Sequence, residues 1–402
     1  MITPADRGTF HRLYGPARPR IAYYRGDALD YLLMVVCCAV VIRLSYGAGN
    51  WIGYAGIALC AFMAVTFPLR HGIALRVPAL LRRPQDCLYM LIYKLQNIRP
   101  MYVAGLAVFI LDNWIIVHTP GLPHESALVR KIAIGMFYGH FAAISLYRTV
   151  ILGAHLRRRG LVRDVLSQTS WKSALLQQPN VTLQIVHAYI TGLLTHIILL
   201  APWYIVLTHC RYSIITIPLI CMADVLIHFR YLRSFSGWFY RDHWLSHNSE
   251  IEFLYLHGTH HDAIPSGLIA VSGNGFLEGF VRHTLGNPLP FYSPLVSFVI
   301  YTLEVVQDIH GHQYIPGIFP KQSRSFHETS QHSTHHFGRL EPYSIAFKTA
   351  EPATGDEVKK RFQFPPAEIL NSIEFDEQLT GFQWDNLRHR KFMELFDRYQ
   401  GG

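Results

Sequence analysis

The sequence has little charge for its length. Only 16% of its 402 residues are Asp, Glu, Lys or Arg, whereas about 25% is usual in soluble domains. Half of the residues are apolar, the mean hydropathy is positive, and the apolar residues come in long blocks. These features exclude a disordered chain, a collagen-like repeat and a disulfide scaffold, and they argue against a soluble multidomain enzyme.

Cysteine pairs and familiar catalytic motifs are also lacking. The chain has six cysteines and no CxxC, so neither a zinc ribbon nor a disulfide framework is indicated. The HExxH helix of zinc metalloproteases is missing, and no GxSxG, P-loop or Rossmann fingerprint lies in a suitable strand–turn–helix context. These motifs therefore give no support to a protease, a serine hydrolase or a nucleotide-binding protein.

The net charge of +9 comes mainly from the short connections between apolar blocks. Residues 1–30, 70–100 and 154–180 carry sixteen Lys and Arg, against about four on the opposite side, namely Arg43, Arg130, Lys131 and Arg211. Basic residues distributed in this way orient a membrane protein, with the richer side in the cytosol. We therefore expect a cytosolic N-terminus and no nucleic-acid partner.

Six apolar blocks predict membrane-spanning helices, since each is close to the ~20 residues that cross a bilayer core. A seventh apolar stretch, 290–306, predicts a short span or a re-entrant helix. The loop 70–100 mixes apolar and basic residues, which predicts an amphipathic segment along the membrane surface. The six blocks are 31–46, 51–69, 101–118, 132–153, 183–207 and 213–229.

The predicted fold is an all-α, polytopic membrane bundle of about six spans plus a short hydrophobic hairpin, with a cytosolic histidine-rich helical metal domain. A basic cytosolic segment over 1–30 precedes a transmembrane bundle over 31–210. The metal domain covers 211–337, and 338–402 forms a cytosolic tail. We expect a multi-pass protein of the endoplasmic reticulum or a bacterial inner membrane, with its metal site on the cytosolic side.

Several ionisable residues lie within the predicted spans. Such residues are functional candidates, and interhelical hydrogen bonding is the ordinary alternative. Asp224 and His228 lie four residues apart on one helical face, where they could support nearby metal ligands. Paired intramembrane histidines also leave haem ligation open, although it would not explain the histidine motifs described next. The residues are Asp112, His140, His187, His196, Asp224 and His228.

Histidine is the abundant residue, with 23 copies, 12 of them between positions 243 and 336. An HxxxH motif begins at position 243, HxxHH motifs begin at 257 and 332, and a His-Gly-His sequence begins at 310. The ten candidate metal ligands are His243, His247, His257, His260, His261, His310, His312, His332, His335 and His336.

These spacings suit a pair of metal ions. Histidines three or four residues apart share a helical face, and the adjacent histidine of HxxHH points to a neighbouring position. A structural zinc site needs only four ligands and usually includes thiolates. Imidazole ligands suit Zn, Cu, Fe or Ni, and an iron pair that activates O₂ is the best chemical match. The alternative is that single histidines act as packing or interfacial residues.

The stretch from about Asp224 to Asp356 resembles the fatty acid hydroxylase / sterol desaturase superfamily of integral-membrane di-iron oxidoreductases. The order of motifs is similar: HxxxH, HxxHH, a hydrophobic interval, a lone histidine segment and a second HxxHH. The segment DIHGHQYIP looks like the family pattern D-x-H-x-G-Y-x-x-P, which implies His310 as a ligand. Trp244 stands where the family often has Arg. His312 stands at the family's Gly and is an additional candidate ligand.

The resemblance implies two iron ions, O₂ as co-substrate and oxidation of an unactivated C–H bond in a lipid. The substrate could be an acyl chain, a sterol or a lipid head group. Hydroxylation is the preferred outcome, and desaturation of a similar substrate is the alternative. No cytochrome b5-like or flavin domain is evident in 1–30 or 338–402, so we expect a separate electron donor of the cytochrome b5 or ferredoxin type.

A protein of another class could carry the same histidines. A polytopic metal-binding or metal-transporting protein would use them without redox turnover, but transporters place their ligands near the bilayer midplane. The histidine motifs here fall in polar stretches instead. Cytosolic basic residues either attract an acidic electron donor or form an ordinary solvated surface. They are Arg230, Arg233, Lys359, Lys360 and Arg361. The oligomeric state is left open.

Overall fold

Every regular element is helical in the part of the chain that the computed structural model describes, namely residues 28–71, 81, 84–96, 98, 100–122, 127–160, 181–248 and 294–312. The all-α prediction is therefore confirmed for these ranges. The predicted tail over 338–402 and nearly all of the segment 1–30 lie outside them. The helices are α1 (Ala28–Tyr46), α2 (Trp51–His71), α3 (Pro84–Gln96), α4 (Pro100–His118), α5 (Ala127–Arg157), α6 (Val181–His209), α7 (Ile217–Asn248) and α8 (Pro294–Gly311).

Each of the six predicted spans coincides with a helix. Two of these helices, α5 and α6, are long and apolar enough to cross a membrane, and α1, α2 and α4 contain shorter apolar segments. The most marked difference from the prediction is α7, which continues for 32 residues through the HxxxH motif. Its only proline, Pro218, lies in the first turn, where a missing N–H is tolerated. The six-span topology itself stays a prediction.

The turn between α1 and α2 shows how one end of the bundle is built. Gly47 and Gly49 have φ values of 71° and 87°, the left-handed region that glycine adopts without steric cost. Asn50 then caps α2, since its Oδ1 accepts the N–H of Ile52 at 2.9 Å. The Asn50 amide also donates to the Tyr138 hydroxyl at 3.1 Å. This turn is therefore fixed against α5.

The turns that follow α4 and α6 lie at this same end. The Arg130 guanidinium donates to the carbonyl oxygen of Cys210 at 3.1 Å. The main-chain N–H of Arg211 donates to Asn113 Oδ1 at 3.0 Å. We call the end formed by residues 47–50, 119–122 and 210–216 the turn end. Helices α2, α5 and α7 start there and run to the opposite end.

Helix α8 packs in parallel against α5. The Phe137 and Phe298 rings are 5.8 Å apart, and His140 Nδ1 lies 2.7 Å from Thr302 Oγ1. Residues in contact therefore differ by 161 to 162 positions, and both helices run toward the end opposite the turn end. The stretch predicted at 290–306 is thus a helix over Pro294–Gly311, which includes the first four residues of the lone histidine segment at 308–316. One apolar core includes residues from α1, α2, α5, α6 and α8.

Helix α3 lies within the loop that was predicted to be amphipathic. Leu88, Leu91 and Leu95 are all exposed, and their spacing of three and four residues places them on one face. An exposed apolar stripe agrees with an amphipathic segment. Its position at a membrane surface stays a prediction.

The close approach of α1, α2 and α6 gives a prediction about packing. A Cβ atom at Gly56 would lie 2.9 Å from Ile197 Cγ2 and 3.0 Å from Ile42 Cδ1. Gly56→Val should therefore lower the free energy of unfolding by about 1–3 kcal/mol, measured by thermal unfolding in detergent. Gly135→Ala is the control, because a Cβ atom added there would have no neighbour within 4 Å among the described residues. Equal melting temperatures for the two variants would contradict this packing.

Candidate metal centre

Four of the ten predicted ligands lie on described helices. His243 and His247 are in the last two turns of α7, and His310 and His312 are at the C-terminal end of α8. The side chains of His243 and His312 are described. The remaining six lie outside the described residues, namely His257, His260, His261, His332, His335 and His336.

His243 is fully buried near the end of α7. Its ring centroid lies 5.1 Å from that of Phe239, which in turn packs against Trp238. The neighbouring Asp242 is buried as well. A buried imidazole beside a buried carboxylate requires polar partners, which makes this part of the HxxxH helix unlike a lipid-facing surface.

His312 is held in a defined orientation. Its side chain is 1% exposed, and Nδ1 lies 2.7 Å from the carbonyl oxygen of Asp308. A carbonyl only accepts, so Nδ1 donates its proton and the lone pair of the neutral ring is on Nε2. The Asp308 carboxylate is a further neighbour, with Oδ1 3.4 Å from Nδ1. Metal-ligating histidines typically use their second ring nitrogen in this way. His312 therefore fits a metal ligand.

A buried arginine on α5 faces the same carboxylate. Arg148 is 0% exposed, and its guanidinium interacts electrostatically with Asp308, Tyr301 and Tyr189. A buried guanidinium requires such partners, because an unpaired charge in an apolar interior is costly. Arg148 on α5 and His312 after α8 therefore both interact with Asp308. Arg148 was not among the residues predicted from the sequence, although the one charge within the apolar block 132–153 was a signal of function.

The predicted pair Asp224 and His228 is buried on α7, as its spacing suggested. His228 Nε2 lies 3.4 Å from Glu304 Oε1, so the pair joins α7 to α8. Fifteen residues separate His228 from His243, which corresponds to about 22 Å along a helix. The pair is therefore too far from His243 to orient it directly. Its described contact is with Glu304, which lies two turns before His312.

The intramembrane histidines form a packed cluster of rings. The centroids of His140 and His196 are 5.0 Å apart, and the His140 and Tyr301 centroids are also 5.0 Å apart. Two axial imidazoles on opposite faces of a haem would have centroids about 6 Å apart or more, because each metal–nitrogen bond is about 2 Å long. His140 and His196 are therefore too close to hold a haem between them. His187 is buried on the same helix as His196.

Within the described ranges, no three His, Cys, Asp or Glu side chains are grouped so that they could hold a metal ion. A complete centre would thus need further predicted ligands whose side chains lie outside the described residues, such as His247, His310 or the histidines of the two HxxHH motifs. Among the predicted ligands with described side chains, His243 and the oriented His312 lie at the ends of two helices.

Comparison with known proteins adds no assignment. No protein-family model, no curated protein and no solved structure matches this chain. The functional interpretation therefore depends on the histidine pattern and on the contacts described above.

Proposed function

We propose that this protein is a membrane-bound, O₂-dependent di-iron oxidoreductase that hydroxylates an unactivated C–H bond of a lipid. The observation that carries the proposal is the pattern of ten histidines, HxxxH, HxxHH, a lone segment and HxxHH, over residues 243–336. The buried and oriented His312 supports it, because Nε2 is left as the donor atom of the ring.

The surfaces of the helices support a multi-pass arrangement. Large apolar side chains are exposed on several helices: on α5, Leu146 and Val150 are 67% and 64% exposed, and Leu219 and Leu226 on α7 are similarly exposed. Extended apolar surfaces of this kind indicate contact with lipid or with another protein. We propose that the bundle spans the bilayer, so that a dissolved lipid reaches the metal centre laterally.

The proposed orientation follows from the basic residues. The run Arg157–Arg159 is exposed where α5 ends, on the side of the bundle to which α7 and α8 also run. Basic connections are typical of the cytosolic side. Both the histidine-bearing helix ends and this run would then face the cytosol, where the positive surface attracts an acidic, separate electron donor.

The reaction follows the stoichiometry of a monooxygenase. One oxygen atom of O₂ enters the C–H bond to give an alcohol, and the other leaves as water after uptake of two electrons and two protons. Two iron ions bound by the imidazoles would supply the activation of O₂ and the removal of hydrogen from carbon.

In this proposal, the described residues orient a ligand, balance a buried charge and exclude water. The Asp308 carbonyl fixes the tautomer of His312, and the buried Arg148 balances the charge of the Asp308 side chain. The apolar core around α5 and α8 excludes water from the approach to this site. A dry surrounding of this kind would protect a reactive site from side reactions with water.

The proposal predicts a defined metal content and metal-dependent oxygen consumption. Full-length protein purified in detergent should contain about two irons per chain. It should take up O₂ only when a reductant and a lipid extract from the host membrane are both present. Mass spectrometry of the lipid then separates an added hydroxyl group from a new double bond. Bound zinc with metal flux and no O₂ uptake would instead indicate a metal-transporting protein.

A further inference from the structure

His155 is a buried imidazole that the histidine motifs do not include. It lies near the C-terminal end of α5 and is 0% exposed. Its Nδ1 lies 2.8 Å from the carbonyl oxygen of Ile151, so Nδ1 donates and the lone pair is on Nε2. That Nε2 atom is also buried, and it has no hydrogen-bond partner within the described ranges. A buried acceptor nitrogen costs free energy unless a hydrogen-bond donor or a metal ion binds to its lone pair.

The orientation of His155 matches that of His312. In both rings, Nδ1 contacts the carbonyl oxygen four residues earlier, at 2.8 Å and 2.7 Å respectively. His118 makes the same local contact at 2.8 Å, but it is exposed at the turn end. The contact alone is therefore a general property of helical histidines. Burial distinguishes His155 and His312 from His118.

The packing of α5 against α8 brings His155 to the level of His312. Residues in contact between these helices differ by 161 to 162 positions, as Phe137 with Phe298 and His140 with Thr302 show. His312 therefore corresponds to Ile151, and His155 lies one turn, about 5 Å, further toward the same end.

His243, the first residue of the HxxxH motif, lies at nearly the same height along the bundle as His155. Helices α5 and α7 both start at the turn end, where Arg130 contacts Cys210. His155 lies 28 residues from the start of α5, which is about 42 Å. His243 lies 26 residues from the start of α7, about 39 Å along that helix. Buried imidazoles on α5, α7 and α8 thus lie within roughly two turns of one another along the bundle.

We propose that His155 is a further metal ligand, which adds a nitrogen donor from the N-terminal bundle to the metal centre. This inference rests on the proposed function, because it takes the transition-metal centre of the histidine motifs as given. Its Nε2 is buried, is proton-free in the neutral ring, and lies at the end of the bundle where the described histidines His243 and His312 also lie. A metal ion requires a donor of this kind: a neutral imidazole that is fixed by its second nitrogen.

Cobalt binding tests this assignment without relying on turnover. Full-length protein is purified in detergent, stripped of metal and titrated with Co²⁺ while the visible absorption spectrum is recorded. His155→Ala should bind Co²⁺ at least ~10–100-fold more weakly, since even the loss of a residue that supports a ligand has that effect. His118→Ala is the matched control and should bind like the wild type.

A cysteine variant separates ligation from a structural role. His155→Cys should recover Co²⁺ binding and add a sulfur-to-cobalt charge-transfer band in the near ultraviolet, because a thiolate is a good ligand. A role in packing alone would produce no such band. This variant also carries the test if His155→Ala melts at a lower temperature than the wild type.

Two results would overturn the inference. One is a His155→Ala titration that matches the wild type, and the other is a His155→Cys protein that binds Co²⁺ without the sulfur band. His335→Ala tells this failure apart from a failure of the proposed function. If His335→Ala weakens binding and His155→Ala does not, only the His155 assignment is wrong. If the wild type binds no Co²⁺, both are wrong.

Discussion

Replacement of His260 or His335 by alanine is expected to abolish lipid oxidation. Each variant removes one imidazole from a different HxxHH motif, and the loss of a ligand should exceed the ~10–100-fold effect of losing a residue that supports one. Product formation should fall by more than about 100-fold, measured by mass spectrometry of lipids after incubation of membranes with reductant and O₂. Both variants should remain in the membrane fraction, because the apolar surface of the helices is unchanged.

His209→Ala is the control for these two variants. His209 ends α6 at the turn end and is exposed, and the described contacts of its Nδ1 are with the Thr208 hydroxyl and the Ile205 carbonyl oxygen of the same helix. Product formation by this variant should stay within a factor of about two of the wild type, as a surface change usually allows. Undiminished product from either HxxHH variant would refute the ligand assignment.

The second large effect is expected at Arg148. Arg148→Met removes a fully buried guanidinium that interacts electrostatically with the buried Asp308 carboxylate, and loss of one of two interacting buried charges is expected to cost about 3–5 kcal/mol. The free energy of unfolding should fall by that amount, measured by denaturant unfolding in detergent. His312 should lose order as well, because Asp308 provides both of the oxygens near its Nδ1.

A double variant tests the origin of this loss. Arg148→Met combined with Asp308→Leu removes both charges, and an apolar pair of similar volume often restores the stability of a buried ion pair. Arg158→Gln is the control for removal of a positive charge, since Arg158 is exposed after the end of α5. A change below about 0.5 kcal/mol in Arg148→Met, the range of an ordinary surface substitution, would show that the pair contributes nothing to stability.

The sequence was sufficient to locate the helices. Each of the six apolar blocks lies within one helix or nearly so, because an apolar run of about 20 residues is longer than an ordinary strand and is typical of a helix. The all-α class follows from the same pattern. The helix ends were less predictable: α7 continues to Asn248, and its only proline lies in the first turn.

The contacts at the candidate metal centre were less accessible from the sequence. Arg148 and Asp308 are 160 positions apart, and their electrostatic interaction follows only from the parallel packing of α5 on α8. His155 lies outside any motif, so its burial could not be inferred from spacing. The HxxHH motifs were conspicuous in the sequence, but they fall outside the described residues and stay predictions.

The separation of Arg148 from Asp308 has a consequence for biosynthesis. Translation adds about 5–20 residues per second, so the arginine is made roughly 8–32 s before the aspartate that neutralises it. During that interval the nascent α5 carries a guanidinium that α8 has not yet reached. In the proposed membrane arrangement, insertion of α5 would have to tolerate a charge that has no partner on α8 until synthesis passes residue 308.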